Sequence, residues 1–127
     1  MSGEPVLVVD DNPANLKLLS FLLSSKGYQV RTATDAEEAL ALLEAFVPRL
    51  ILMDIQLPGM DGLELTRRLK AAPRTRDVVI IAVTASAMRG DEERARAAGC
   101  DGYIAKPIDT RTLADTVALS LHGRGAP

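Results

Sequence analysis

The stretch Pro5-Val6-Leu7-Val8-Val9-Asp10-Asp11-Asn12-Pro13 decides how the rest of the chain is read. Its apolar, Val-rich run is too short for a stable helix and reads as a strand buried on both faces. The run stops at two acids. Asn12-Pro13 then has the form of a helix N-cap followed by proline at the first helical position, where a backbone N–H would have no partner anyway. Leu16, Leu19 and Leu23 follow at i, i+3 and i+7, with Leu18 and Leu22 widening the apolar stripe. Gly27 reads as the residue that closes this helix. The unit is a strand, an acidic edge and an amphipathic helix.

The same unit recurs along the chain. Residues 28–33 alternate polar and apolar, which suits a strand near a sheet edge. Thr34-Asp35-Ala36-Glu37 has capping-box spacing, with Thr34 as N-cap and Glu37 three positions on. Ala36, Leu40, Leu43 and Val47 line one face of the helix that follows, and Pro48 stops it. Leu50-Ile51-Leu52-Met53 is a third apolar run ending in acid, Asp54. Pro-Gly and Asp-Gly pairs mark residues 56–62 as a loop. A third helix over about 63–72 buries Leu65 and Leu69, and 73–77 is a polar link. Val78-Val79-Ile80-Ile81-Ala82-Val83 is the most strand-like run and ends at Thr84. The next helix, about 88–98, contains Gly90 and offers mostly alanine to a core, so thin packing and mobility are expected of it. Gly99 closes it. Gly102-Tyr103-Ile104-Ala105 is a short fifth strand before Lys106-Pro107. Leu113, Val117 and Leu121 give the last helix one apolar face, and 122–127 reads as a frayed tail. Five strand-then-helix units predict a doubly wound α/β sandwich, (βα)5, with a parallel sheet, right-handed crossovers and helices on both faces.

Length and composition agree. The 127 residues, 47% hydrophobic, suit a single domain, with a core over about 5–121. A net charge of −2, 3% aromatics and no tryptophan argue against nucleic acid or an anionic membrane as the main partner. One cysteine, Cys100, can close no internal disulfide and reads as a small core hydrophobe. The N-terminus lacks a basic segment followed by an apolar one, and no apolar run nears the roughly 18 residues of a membrane span. A soluble, cytoplasmic protein is expected. Arg67, Arg68 and Lys70 read as a solvated helix face.

In a sheet of this kind, ligands bind beyond the carboxyl ends of the strands. Those ends carry Asp10-Asp11, Asp54, Thr84 and Lys106-Pro107. Singly, each has an ordinary structural role, as a cap, a turn opener, a strand terminus or a solvated lysine. Jointly they place three carboxylates, a hydroxyl and an ammonium on one edge. Carboxylates about 4 Å apart repel by about 4 kcal/mol per pair near a protein surface. A hard divalent cation such as Mg2+ neutralises them and couples carboxylates to phosphate oxygens. A carboxylate beside Mg2+, with a lysine and a hydroxyl opposite, suits covalent phosphoryl transfer, which needs positioning and charge neutralisation more than a strong base.

These residues, with their flanking sequence, carry a resemblance that covers roughly Val6 to Leu121. Val-Val-Asp10-Asp11-Asn12, Ile-Leu-Met-Asp54-Ile-Gln-Leu-Pro58-Gly-Met-Asp61-Gly62, Ile-Ala-Val-Thr84-Ala85 and Gly102-Tyr103-Ile104-Ala105-Lys106-Pro107 closely resemble the receiver domain of two-component response regulators, the CheY-like superfamily. Among receivers, the segment around Asp54 and Met88-Arg-Gly-Asp-Glu-Glu93 look most like stand-alone DivK-type regulators. The resemblance implies strand order 2-1-3-4-5. It implies that Asp54 accepts a phosphoryl group from a phosphohistidine of a histidine kinase or phosphotransfer protein. Asp11, Asp10, Asp54 and the backbone carbonyl of Gln56 would hold Mg2+, with Asp10 acting through water. Lys106, the Thr84 hydroxyl and the Ala85 N–H would contact the phosphoryl group. Tyr103 would turn inward with Thr84, and Lys106-Pro107 would be a cis peptide. Gln56 and Ser86 stand at the family's variable positions that tune phosphate lifetime. Phosphorylation adds about −1.5 to −2 charge and shifts the population between two arrangements of the domain. The responsive surface would be the fourth helix, fifth strand and fifth helix, read by a target protein in trans.

Two other functions compete. An aspartyl-phosphate hydrolase of the haloacid-dehalogenase kind needs a second Asp two residues after its nucleophile, where this chain has Gln56. A degenerate receiver acting by contacts alone would not need the intact set Asp10, Asp11, Asp54, Thr84 and Lys106. The domain is therefore expected to catalyse only its own phosphorylation and dephosphorylation, either standing alone or as a receiver cut from a larger regulator.

Overall fold

The computed structural model describes residues 3–57, 59–84, 90–106 and 108–124. Strands β1 (Pro5–Val9), β2 (Gln29–Ala33), β3 (Leu50–Asp54), β4 (Val79–Thr84) and β5 (Gly102–Ala105) alternate with helices α1 (Pro13–Ser24), α2 (Ala36–Ala45), α3 (Gly62–Ala71), α4 (Asp91–Ala98) and α5 (Leu113–Arg124). The strands form one parallel sheet in the order β2-β1-β3-β4-β5. The predicted (βα)5 architecture and strand order are both present.

Each strand's place follows from its side chains. The apolar runs of β1, β3 and β4 have almost no exposed surface, as central strands covered on both faces must. Their alternate residues feed two separate cores. Leu7, Val9, Ile51, Met53, Ile80 and Ala82 face α2, α3 and α4. Val6, Val8, Leu50, Leu52, Val79 and Ile81 face α1 and α5. The alternating segment β2 takes one edge of the sheet, where its outward residues meet solvent.

Several local expectations shift in register. Asn12 caps α1 as expected, its side chain accepting from the N–H groups of Ala14 and Asn15. Leu16, Leu19 and Leu23 are buried, but Leu18 is 43% exposed and only Leu22 widens the stripe. Helix α1 ends at Ser24, with Ser25 as C-cap; Gly27 takes positive φ further on, in the turn into β2. The cap of α2 is Asp35, whose carboxylate accepts from Glu38 N–H, while Glu38 reaches back to the Thr34 N–H and hydroxyl. Thr34-Glu37 and Asp35-Glu38 share one spacing, and burial of Ala36, Ala39 and Leu43 selects the second register. Val47 lies beyond the end of α2 and is 39% exposed.

Lys70 departs from the solvated face expected of it. Its ammonium donates to the carbonyls of Arg76 and Val78 and to Asp101 Oδ2, which also accepts the Ile80 N–H. Arg67 and Arg68 are exposed and pair with Glu64. Cys100 is buried as expected, and burial pushes its thiol up, keeping it protonated. The thin packing expected of α4 is found: among its described side chains, Ala95 and Ala98 are the buried ones. Alone among α1–α4, its N-terminus has no side-chain cap. Residues 88 and 89, where this helix was expected to begin, lie outside the described residues. Helix α5 buries Leu113, Val117 and Leu121 and continues to Arg124, past the point where the tail was expected to start. No helix among the described residues is long and apolar enough to cross a membrane.

Candidate functional site at the carboxyl edge of the sheet

The parallel register brings the strand ends together. Asp10 follows β1 immediately, and its N–H still donates to the Ala33 carbonyl of β2. Asp54 is the last residue of β3 and is registered with Val83, one residue before Thr84. Lys106 follows β5, and its N–H donates to the Thr84 carbonyl at 2.7 Å. Backbone pairing alone therefore lines up Asp10, Asp54, Thr84 and Lys106 across four adjacent strands.

The side chains complete the cluster. Asp10, Asp11 and Asp54 each offer a carboxylate oxygen within 4.8 Å of the others. Asp10 and Asp54 are 2% and 3% exposed, whereas Asp11 faces solvent. Lys106 Nζ lies 3.3 Å from both Asp10 Oδ2 and Asp54 Oδ2. Backbone N–H groups hold the remaining oxygens: Asn12 donates to Asp10 Oδ1 at 2.8 Å, and Gln56 to Asp54 Oδ1 at 2.9 Å. Thr84 is fully buried at the end of β4. Gln56 is exposed just past Asp54, and Tyr103 is half-buried on β5, packed against the core on the α2–α4 side. Ala85, Ser86 and Pro107 lie outside the described residues.

Two residues to which the sequence reading gives no role at this site shape it. Gly62 was read as half of a turn. In the structure, a Cβ there would lie 2.3 Å from the Asp54 carbonyl oxygen and 2.7 Å from the Ile55 Cα, so the start of α3 is pressed against the end of β3. Asn15, on the first turns of α1, donates to Asp10 Oδ2 at 3.4 Å. No helix or strand periodicity reveals either contact, because each joins a strand end to the helix that follows it across the connecting loop.

The charges do not balance. Three carboxylates face one ammonium. Burial, chiefly, raises the Asp54 carboxyl above the usual carboxylate range; Asp10 adds to this, and the Gln56 N–H and Lys106 oppose it. For Lys106, burial favours the neutral amine, but Asp54 and Asp10 outweigh it and raise the ammonium above the ordinary lysine range. A raised carboxyl binds its proton more tightly in the native state than in the unfolded chain. Its stabilising contribution is complete below the unfolded value of about 3.9 and is lost as pH rises through the native value. At neutral pH the ionised Asp54 of the cation-free protein is thus a destabilising charge, while the Lys106 contribution, lost only at alkaline pH, is intact. Asp54→Asn is expected to raise the melting temperature of chelator-treated protein at pH 7 by roughly 3–5 °C, the shift that about 1 kcal/mol produces in a domain of this size. The gain should shrink toward pH 4. Calorimetry at both pH values checks this.

The donor set fits a hard cation. All three groups are carboxylates, two are buried, and they keep an excess of negative charge after Lys106 is counted.

A sequence model of the response regulator receiver domain matches residues 6–118. The chain belongs to the response regulator receiver family. This receiver domain is 46% identical over 112 residues to the polar-differentiation response regulator DivK of Brucella anthropi, covering 88% of this chain and 91% of DivK. It is similar to a CheY-like receiver domain protein of Methanospirillum hungatei, with 33% identity, a TM-score of 0.89 and 97% of both chains covered. It is also similar to the receiver domain of a signal transduction histidine kinase of Syntrophus aciditrophicus, with 32% identity, a TM-score of 0.88 and coverage of 98% and 95%. The receiver is a two-component signalling switch, of a family whose members accept a phosphoryl group and bind Mg2+ at an acidic pocket.

Proposed function

We propose that this receiver takes a phosphoryl group onto Asp54 from a phosphohistidine of a histidine kinase or phosphotransfer protein. The observation that carries the reading is the setting of Asp54: buried, 3.3 Å from Lys106 Nζ, with Asp10 and Asp11 oxygens within 4.8 Å. A carboxylate oxygen of Asp54 attacks phosphorus, the bond from phosphorus to the donor imidazole nitrogen breaks, and the imidazole leaves with the electron pair and takes up a proton. The Gln56 N–H holds one Asp54 oxygen, leaving the other directed toward Lys106. Lys106 then follows the growing negative charge of the phosphoryl oxygens, stabilising the transition state by a preplaced ammonium.

Asp10, Asp11 and Asp54, with the Gln56 carbonyl, would hold Mg2+. The ion supplies charge neutralisation and a template for the phosphoryl oxygens. The Thr84 hydroxyl and Ala85 N–H take the phosphoryl group once it is in place, and Tyr103 follows Thr84. Gln56 and Ser86 set how soon water removes the phosphate, and Pro107 belongs with Thr84 and Tyr103 to the switch. The thin packing of α4 supports a readout through α4, β5 and α5 to a target protein in trans. The domain catalyses its own phosphorylation and dephosphorylation only, and works in the cytoplasm without nucleic acid or membrane.

The test is direct. Incubation with acetyl phosphate and Mg2+ should add one phosphate to the intact protein, labile to hydroxylamine as an acyl phosphate is. Excess EDTA should suppress the label at least about tenfold, given the weight of metal charge neutralisation in phosphoryl transfer. Equal labelling with and without chelator would refute the cation's role, and no labelling under any donor would refute the acceptor role.

A further inference from the structure

Asn15 has no part in the roles above, yet it touches the acidic cluster. It is half-buried on α1 and lines a cavity of about 160 Å3 together with Leu18, Leu19, Lys106 and Ile108. Its side-chain amide donates to Asp10 Oδ2, the same oxygen that lies 3.3 Å from Lys106 Nζ. Asp10 Oδ1 is held by the Asn12 N–H. Each oxygen of this buried carboxylate thus has a donor from the segment just after β1.

We propose that Asn15 is a positioning residue for the cation site, steering Asp10 toward the ion. The inference rests on the Mg2+ reading above and deepens it. A carboxylate beside two like charges is driven to turn away from them, and something must keep it facing the cluster. Lys106 cannot do this alone, because it is shared between Asp10 and Asp54 and is drawn off by any new anion at Asp54. The Asn15 amide carries no net charge, so the arrival of a cation or a phosphoryl group neither repels nor captures it. It is the donor to Asp10 Oδ2 that persists through the reaction. Hydrogen-bond partners of metal-binding carboxylates act in this way, and losing one lowers metal affinity by about 10–100-fold.

The test uses Asn15→Leu, of nearly the same shape but without a donor, and Asn15→Ala, which adds no apolar bulk. Calorimetric titration of MgCl2 into chelator-stripped protein should give a dissociation constant weaker by about tenfold for both variants. Their melting temperatures without Mg2+ should stay within about 2 °C of the parent, as expected for a half-exposed position. Asn15→Gln, which keeps the amide on a longer arm, should recover most of the affinity. Leu and Ala variants that bind Mg2+ as tightly as the parent overturn the proposal, as does a Gln variant no better than they are. A parent protein that takes up no Mg2+ overturns both this proposal and the cation reading; equal binding by parent and variants overturns the Asn15 role alone.

Discussion

Asp54→Asn is expected to lose phosphoryl incorporation from acetyl phosphate by more than about a thousandfold, as removal of an enzyme's own nucleophile does. The substitution is close to isosteric. Its remaining oxygen can keep the Gln56 N–H bond that holds Asp54 Oδ1. What disappears is the nucleophilic carboxylate, together with the negative charge that draws Lys106 to 3.3 Å. An amide nitrogen there presents donors to an ammonium, so Lys106 should turn toward Asp10. Intact-protein mass spectrometry over a time course checks the result, and labelling of the Asn variant at the parent's rate would sink the assignment of Asp54. A melting temperature of the Asn variant no lower than the parent's, measured on the same cation-free samples, separates loss of the nucleophile from misfolding.

The second large effect is expected at Gly62. The two atoms that a methyl group added there would meet most closely, at 2.3 and 2.7 Å, both belong to backbone. No flexible side chain can yield, so the start of α3 must move away from β3. The Gly62 N–H also donates to the Ile55 carbonyl at 3.2 Å, and that bond is strained by the same movement. Gly62→Ala should cost about 3 kcal/mol, the upper part of the range for overpacking, and lower the melting temperature by roughly 10 °C. Because Asp54 and Ile55 are the residues displaced, phosphorylation should also slow, by about tenfold to a hundredfold, at temperatures where the variant is folded. Gly59→Ala is the comparison: its φ of +74° is unfavourable for alanine, but no atom lies within 4 Å of the added methyl. It should cost roughly 1–2 kcal/mol and leave the labelling rate unchanged. A Gly62 variant that melts like the Gly59 variant would refute the close approach.

Much of this architecture was legible in the order of residues. The runs ending at Val9, Met53 and Val83 are buried on both faces, and such strands have to stop where the chain turns charged or polar. Asp10, Asp54, Thr84 and Lys106 could therefore be placed on one edge before their distances were known. The misses have specific causes. Thr34 and Asp35 are both good helix caps, and only the burial of Ala39 with Ala36 and Leu43 decides between them. Leu18 continues a helical stripe on paper, but α1 meets the sheet through Leu16, Leu19 and Leu23, and Leu18 points past it. Lys70 looks like any surface lysine until the Arg76 and Val78 carbonyls and Asp101 close around its ammonium. Gly62 and Asn15 owe their roles to contacts with Asp54 and Asp10 that no periodicity encodes.

The construction of α4 has a consequence for how such a domain diversifies. A rod seated on two methyl groups and flanked by left-handed glycines at positions 90 and 99 loses little when it is tilted or slid. Its outward surface can be rewritten residue by residue while the central β-strands and the acidic edge stay untouched. On the proposed readout through this surface, lineages that keep one phosphorylation chemistry are free to acquire new listeners, because the side chains a target would touch are not those that react.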